Sequence, residues 1–140
     1  MKHRKVTLAH GDYAALAAFR YELRKFLRFS KDFLAGRGQL TPEQYEAMLA
    51  IKAHSRGERL TIGELSERLQ VKHHTTVSLI DGLAAQGLLV RERATMDRRQ
   101  VFVQLTRLGE DILEDVAAVH RKELRGRSLE MIKALRRLAK

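Results

Sequence analysis

The 140-residue chain contains no cysteine, and it has a single proline. Without cysteine, disulfide bonds, thiolate metal sites and thiol-based redox sensing are excluded. No apolar run approaches the roughly 18 residues that a membrane-spanning helix needs. The first residues are basic, but no apolar segment follows them, so no secretory signal is predicted and a soluble cytoplasmic protein is expected.

Signatures of an enzyme are also missing. There is no glycine-rich phosphate loop, and Ser66 and Ser78, the serines nearest to a histidine, lack the strand-to-helix elbow of a nucleophile. Asp111, Glu114 and Asp115 lie on one flank of a predicted helix, where solvated charges are expected rather than catalytic ones. We therefore predict no catalytic residue, no cofactor and no enzymatic activity.

The charge balance is strongly basic, with a net charge of +10. Such a balance favours polyanionic partners, namely DNA, RNA or an anionic membrane surface, although a solubilising surface is the alternative. The segment 54–104 carries the smallest excess of basic residues. Charge alone therefore does not locate a binding site.

Both ends of the chain are predicted to be helical. Apolar residues recur at three- and four-residue spacing over 13–35, and Gly36 and Gly38 are expected to end that helix. A second apolar stripe begins after residue 106, with a break near Gly126. These stripes exceed what the central segment can cover. Homodimerisation through both ends is therefore predicted, with an intramolecular helical layer as the alternative.

Two further helix starts are marked by capping residues. Thr41 precedes Pro42 at a first helical position, which predicts a helix that continues to about His54. Thr61 and Glu64 match the capping-box spacing.

The order of elements over residues 61–105 is the most informative pattern. A helix is followed by a short turn at 70–72, a second helix over about 73–86 that Gly87 ends, and two strands over 88–92 and 100–105. This order predicts a winged helix-turn-helix, whose second helix enters the DNA major groove.

The second of these helices is the predicted recognition helix. If Val77, Ile80 and Leu83 face inward, small or polar side chains near its N-terminus face outward and can bond base edges or phosphates. These are His73, His74, Thr75, Thr76 and Ser78. The alternative for Thr75 and Thr76 is helix capping. Adjacent histidines point about 100° apart and share no third ligand, so no metal site is predicted.

The tip between the two strands carries Asp97, Arg98 and Arg99. Asp97 and Arg99 lie on the same side of an extended strand, so the carboxylate can hold the guanidinium in one rotamer. An oriented arginine suits a narrow, electronegative minor groove. The alternative is a surface ion pair worth about 0–1 kcal/mol.

The segment from about Leu40 to Gly109 resembles the MarR family of bacterial transcription regulators. The matching residues are Leu40-Thr41-Pro42-Glu43-Gln44-Tyr45, then Leu65, Leu69 and Val71, then Leu83 with Gly87-Leu88-Leu89-Val90-Arg91, and finally Asp97-Arg98-Arg99 leading to Leu105-Thr106 and Gly109.

The resemblance implies a mainly α fold with a small β-hairpin wing, in one domain over 1–140. Within it, residues 40–105 form the DNA-binding lobe, and 10–36 with 106–140 form the helical dimerisation region. It also implies a repressor of palindromic operators, with Arg99 in the minor groove, oriented by Asp97, and Arg98 on phosphate.

Three positions depart from the family pattern. Gln70 stands where a glycine is usual, Lys72 replaces a serine before the recognition helix and adds a charge that can contact phosphate, and Ala94-Thr95 replaces an Asp-Pro pair. The turn and the tip are therefore expected to differ in detail from those of the family.

Regulators of this family are often released by small phenolic or anionic effectors that bind between the dimerisation helices and the DNA-binding lobe. Phe19, Tyr21, Arg24, Tyr45 and Met48 are the candidate effector-binding residues, and core packing or a solvated helix face is the alternative for each. A non-sequence-specific architectural DNA-binding or RNA-binding protein is the alternative function.

Overall fold

A computed structural model describes residues 5–37, 39–54, 59–96 and 99–140. The described chain folds into five helices and three short strands: α1 (His10–Arg37), α2 (Pro42–Ala53), β1 (Leu60–Thr61), α3 (Ile62–Leu69), α4 (His73–Ala85), β2 (Leu89–Arg93), β3 (Val101–Leu105) and α5 (Arg107–Leu138). The predicted fold class, mainly α with a small β-hairpin wing, is confirmed. Within the described chain, no helix has the length and apolar character needed to span a membrane.

The chain divides into two compact units. Residues 34–118 form the winged unit, and residues 1–33 with 119–140 form the terminal-helix unit. This division crosses both long helices. It therefore places residues 10–33 of α1 and residues 119–138 of α5 in the terminal-helix unit.

The starts of α2 and α3 are fixed by capping boxes. Thr41 Oγ1 accepts a hydrogen bond from the Gln44 amide at 3.1 Å, and Gln44 Oε1 accepts from the Thr41 amide at 3.0 Å. Thr61 and Glu64 make the same pair of bonds, at 3.1 and 3.3 Å. Each box satisfies two backbone donors that a helix start leaves without an intrahelical partner. The predicted capping of both helices is confirmed.

The three strands form one antiparallel sheet in the order β1-β3-β2. The β2–β3 hairpin pairs Leu89 with Leu105 and Arg93 with Val101, so the strands begin one residue later than predicted. Strand β1 pairs Leu60 with Val103. Two residues are too few to produce an alternating pattern, which explains why β1 was not predicted.

A close contact between the hairpin and α5 completes the winged unit. The Thr106 hydroxyl donates to the Gly87 carbonyl at 2.7 Å and accepts from the Gly109 amide at 3.0 Å. A Cβ atom on Gly109 would overlap the Leu88 carbonyl oxygen. Glycine at 109 therefore lets α5 begin directly against the chain that leaves α4.

Every helix and strand of the winged unit contributes at least one side chain to its apolar core. Its most buried apolar side chains are Leu34, Met48, Leu60, Leu65, Ile80, Leu83, Leu88, Leu89, Val103 and Val116. Apolar burial on this scale is the main stabilising contribution to a small domain.

The terminal-helix unit has a histidine at its centre. His120 on α5 is 3% exposed, and its Nε2 atom lies 2.8 Å from Ser30 Oγ on α1. The rings of Phe26, Phe29 and Phe33 lie edge-on to the imidazole at 5.7 to 5.9 Å. The hydrogen bond satisfies a polar ring that would otherwise be costly to bury.

Two helices end at glycines as predicted, but Gly126 does not interrupt α5. Gly87 has φ +75° and follows the end of α4, and α1 ends at Arg37, between Gly36 and Gly38, so both predictions are confirmed. Helix α5 runs through Gly126, so the predicted break there is wrong. A helical glycine costs only about 1 kcal/mol relative to alanine, which the neighbouring turns of a long helix offset. Gly38 lies outside the described residues.

The turn between α3 and α4 depends on a left-handed glutamine. Gln70 has φ 55° and ψ 45°, and no other described non-glycine residue has a positive φ. Its amide donates to the Glu67 carbonyl at 3.2 Å, and its side-chain Nε2 donates to the same oxygen at 2.7 Å. A non-glycine residue thus takes a left-handed conformation at this turn, and local hydrogen bonds hold it there.

We expect Gln70→Gly to raise the free energy of unfolding by about 0.5–1 kcal/mol, because glycine adopts positive φ without steric cost. Gln70→Val should lower it by about 1–2 kcal/mol, because a β-branched side chain clashes in this conformation. Urea denaturation measures both values. Gln86→Val is the matched control, since Gln86 is exposed at a helix end with φ −84°. An equal loss at both positions would contradict the argument.

Candidate nucleic-acid interface

Helix α4 is anchored to α3 by a pair of hydroxyl groups. Thr76 is 0% exposed, and its Oγ1 accepts a hydrogen bond from Ser66 Oγ on α3 at 2.8 Å. The predicted outward position of Thr76 is therefore wrong. At 100° per residue, Thr76, Ile80 and Leu83 share one face of α4, and that face is the buried one.

The exposed surface of α4 near its N-terminus keeps most of the predicted contact residues. His73, His74 and Ser78 are exposed, and Thr75 is half-buried. Lys72 is exposed at the N-cap position and makes no side-chain capping bond. The helix therefore presents polar side chains and N-terminal amide groups on one accessible surface, which suits base edges and phosphates.

The hairpin is connected to α4 by an ion pair. Arg91 on β2 pairs with Asp81 on α4, and both side chains remain partly exposed. The contact joins the strand that leads to the wing with the solvent face of the recognition helix. The ion pair therefore helps to fix the position of the hairpin relative to α4.

A second ion pair lies on the sheet. Arg59, next to β1, pairs with Glu92 on β2, and its guanidinium carbon lies 4.7 Å from the centre of the Phe102 ring on β3. A hydrogen bond from Arg59 and its positive charge lower the pKa of the Glu92 carboxyl. The carboxylate is therefore ionised at neutral pH, and Arg59 connects all three strands.

The tip of the wing is described only in part. The Ala94 amide donates to the Gln100 carbonyl at 3.1 Å, which closes the hairpin, and Met96 is 98% exposed. Asp97 and Arg98 lie outside the described residues, so the predicted Asp97–Arg99 pairing stays a prediction. Arg99 itself is exposed, as a DNA contact requires.

One depression brings the recognition helix and the wing together. It has a volume of about 330 Å³ and is lined by Thr61, Ile62, Gly63, His73, Arg99, Gln100 and Val101. His73 and Arg99, predicted as contacts to different parts of a duplex, thus lie on the same surface. The start of α3 forms the third side of this surface.

Comparisons with known proteins agree with this geometry. A sequence profile described as MarR family matches residues 39–100. The HTH-type transcriptional repressor YetL of Bacillus subtilis is 28% identical over 127 residues, which are 85% of this chain and 75% of YetL.

The chain is thus similar to the MarR family over residues 39–100 and to the transcriptional repressor YetL over most of its length.

Solved structures of MarR proteins share the fold. A MarR family protein from Bacillus stearothermophilus matches with a TM-score of 0.76 at 24% identity, over 95% of this chain and 96% of that one. A mutant of S. aureus MepR bound to an oligodeoxyribonucleotide matches with a TM-score of 0.66 at 21% identity, over 87% of this chain and 82% of that one. The similarity to a MarR profile and to a transcriptional repressor supports a DNA-binding transcription regulator.

Four residues that position the candidate surface were missed by sequence reasoning. Ser66, Asp81, Arg91 and Arg59 each make a contact to another element, as described above. No local signal marks them, because their partners lie ten or more residues away in sequence.

The predicted effector-binding residues do not share one unit. Phe19, Tyr21 and Arg24 lie on α1 in the terminal-helix unit, while Tyr45 and Met48 lie on α2 in the winged unit. Tyr45 is 7% and Met48 0% exposed, and burial raises the pKa of the Tyr45 hydroxyl. These placements favour the core interpretation for Tyr45 and Met48.

The α1 candidates are more accessible. Tyr21 is 60% exposed and stacks against Lys25, whose Nζ atom lies 4.4 Å from the ring centre. Arg24 lines a shallow depression of about 160 Å³ together with Arg20, Leu23 and Leu27. This depression mixes apolar and cationic side chains, so an effector role for Arg24 stays a prediction.

We expect Thr76→Val to lower the free energy of unfolding by about 1 kcal/mol, because valine keeps the shape but removes the bond to Ser66. Urea denaturation measures the change. Ser78→Ala, on the exposed face of the same helix, should stay within about 0.5 kcal/mol of the wild type. A Thr76→Val protein as stable as the wild type would show that the hydroxyl pair does not anchor α4.

Proposed function

We propose that this protein is a dimeric, sequence-specific regulator of transcription that binds double-stranded DNA. The observation that carries the proposal is the anchored α4 helix. Its exposed polar N-terminal surface is held in place by the buried Ser66–Thr76 hydrogen bond and lies beside a hairpin wing. A fixed helix is a requirement for readout of base edges, since hydrogen bonds to bases tolerate little displacement.

In this proposal α4 enters the major groove, which is wide enough to admit a helix. His74 and Ser78 contact base edges, because they are exposed one helical turn apart. Lys72 and His73 contact phosphates at the N-terminus of α4. Phosphate contacts position the protein, and base contacts select the sequence.

The wing supplies a second set of contacts. Arg99 enters the minor groove, with Asp97 orienting its guanidinium and Arg98 on a phosphate. The exposure of Arg99 and its place beside His73 support this assignment. The S. aureus MepR mutant of the same fold was solved with an oligodeoxyribonucleotide, which supports DNA as the ligand.

Dimerisation is supported by the terminal-helix unit. That unit exposes a set of large apolar side chains that a monomer would leave in water: Val6, Leu8, Tyr13, Leu16, Tyr21, Leu27, Leu124, Leu129, Ile132 and Leu135. Exposed apolar surface of this extent marks an interface. A two-fold dimer presents two α4 helices, which matches a palindromic operator.

Regulation completes the proposal. The relative YetL is named a transcriptional repressor, so repression is the expected mode of action. A small anionic or phenolic effector releases the DNA by changing the separation of the two α4 helices. Binding of random DNA or RNA without sequence preference is the alternative, which the net charge of +10 supports.

The function is tested by selecting fragments of random duplex DNA with the purified protein at about 150 mM salt, where weak phosphate binding is suppressed. We expect a palindrome with half-sites about one helical turn apart. His74→Ala and Ser78→Ala should select altered half-sites, whereas Lys72→Ala should select the same half-site with lower affinity. Recovery without any motif would refute sequence-specific binding, and light scattering that shows a monomer would refute the dimer.

We expect Arg99→Ala to weaken binding to the selected operator by about 1–3 kcal/mol, the range for a lost charge-assisted contact. Fluorescence anisotropy measures the affinity. Arg107→Ala is the matched control, because Arg107 is exposed on α5 and pairs with Asp111. Equal affinities for the wild type and a folded Arg99→Ala protein would remove the wing from the mechanism.

A further inference from the structure

A cationic depression lies where the first turn of α1 meets the last turns of α5, within the terminal-helix unit. Its volume is about 440 Å³, and it is lined by Asp12, Lys133, Arg136, Arg137 and Lys140. This volume is within the range of small-molecule sites in proteins. The proposed contacts to DNA use none of these residues.

Three of the four cations form one stripe on α5. Lys133, Arg136 and Arg137 are three and four residues apart, so their side chains are neighbours on one helix face, and Lys140 follows just after the helix ends at Leu138. Like charges at this spacing repel each other and destabilise a helix. The stripe therefore costs stability unless negative charge offsets it.

The protein itself supplies one carboxylate to this stripe. Asp12 Oδ1 lies 3.4 Å from Arg137 Nε, and Asp12 Oδ2 accepts a hydrogen bond from the Ala9 amide at 2.9 Å. Both oxygens of the carboxylate are thus engaged. Among the residues that the structure describes, Lys133 and Arg136 form no ion pair, so most of the positive charge in the depression is not offset.

Arg137 is placed by the absence of a side chain on α1. A Cβ atom on Gly11 would overlap the Arg137 guanidinium. Glycine at this position therefore lets the guanidinium lie directly against the first turn of α1, next to Asp12. Arg137 thus has a defined position in the depression, and Lys133, Arg136 and Lys140 lie around it.

We propose that this depression binds a small anion that carries at least two phosphate or carboxylate groups. A single negative charge would leave the repulsion within the stripe largely in place, whereas a multivalent anion contacts several cations at once. A small ligand is favoured over a nucleic-acid backbone because the cations converge on a concave surface of limited volume. The site shares no residue with the proposed DNA contacts, although it adjoins Tyr13, Ile132 and Leu135 of the proposed dimer interface.

Isothermal titration calorimetry of the full chain tests the site, with sodium tripolyphosphate and with citrate as probes. We expect saturable binding of one anion per chain for at least one probe, and the tighter one identifies phosphate or carboxylate as the preferred group. The double variant Lys133→Gln with Arg136→Gln should weaken binding at least tenfold. Absence of saturable binding by both probes would overturn the proposal.

The matched control removes the same charge elsewhere on α5. Arg121 and Lys122 are exposed, and they lie about 20 Å from the depression along the helix axis at 1.5 Å per residue. Arg121→Gln with Lys122→Gln should weaken binding less than twofold. An equal loss in both double variants would show a diffuse attraction of the basic protein for anions and overturn the site.

Gly11→Ala tests the geometry without a change of charge. It should weaken anion binding several-fold, because the added methyl group displaces the Arg137 guanidinium, while thermal unfolding confirms that the variant is folded. Unchanged affinity would overturn the assignment of Arg137. The double variant is also titrated with a random DNA duplex, and a tenfold loss there would place the cations on a DNA backbone and refute the small ligand.

Discussion

The orientation of α4 depends on the buried hydrogen bond between Ser66 and Thr76. Because Thr76 is 0% exposed, its hydroxyl group requires hydrogen-bond partners, and the shorter of its two bonds, to Ser66, packs the first turn of α4 against the middle of α3. The Gln70 turn brings the two helices to this distance, and the Arg91–Asp81 pair then relates the hairpin to the outer face of α4. The positions of α4 and of the hairpin beside it thus depend on the hydrogen bond between two uncharged side chains, Ser66 and Thr76.

The winged unit and the terminal-helix unit differ in how they distribute apolar side chains between core and surface. The first combines a dense apolar core with an exposed polar surface, whereas the second leaves much of its apolar surface exposed and places a histidine among three phenylalanine rings. The first arrangement suits recognition by a rigid surface, and the second suits association. The cationic depression adds a third kind of surface at the end of α5.

Local signals were enough to predict the fold and most of the candidate site. Thr61 and Glu64 cap α3 as their spacing indicates, and Gly87 ends α4 with a positive φ. The prediction failed where a residue's environment depends on distant partners. The burial of Thr76 requires Ser66 on another helix, and strand β1 exists because Leu60 pairs with Val103, more than forty residues away. The predicted break at Gly126 also failed, because the neighbouring turns of the long helix α5 offset the cost of one glycine.

The two kinds of contact that position the candidate surface respond differently to ionic strength. The Arg59–Glu92 and Arg91–Asp81 pairs are partly exposed, so dissolved ions screen them as they screen phosphate contacts. The Ser66–Thr76 bond joins two uncharged hydroxyl groups, so dissolved ions do not screen it. A rise in ionic strength is therefore expected to weaken the two ion pairs of the hairpin while it leaves the packing of α4 on α3 unchanged.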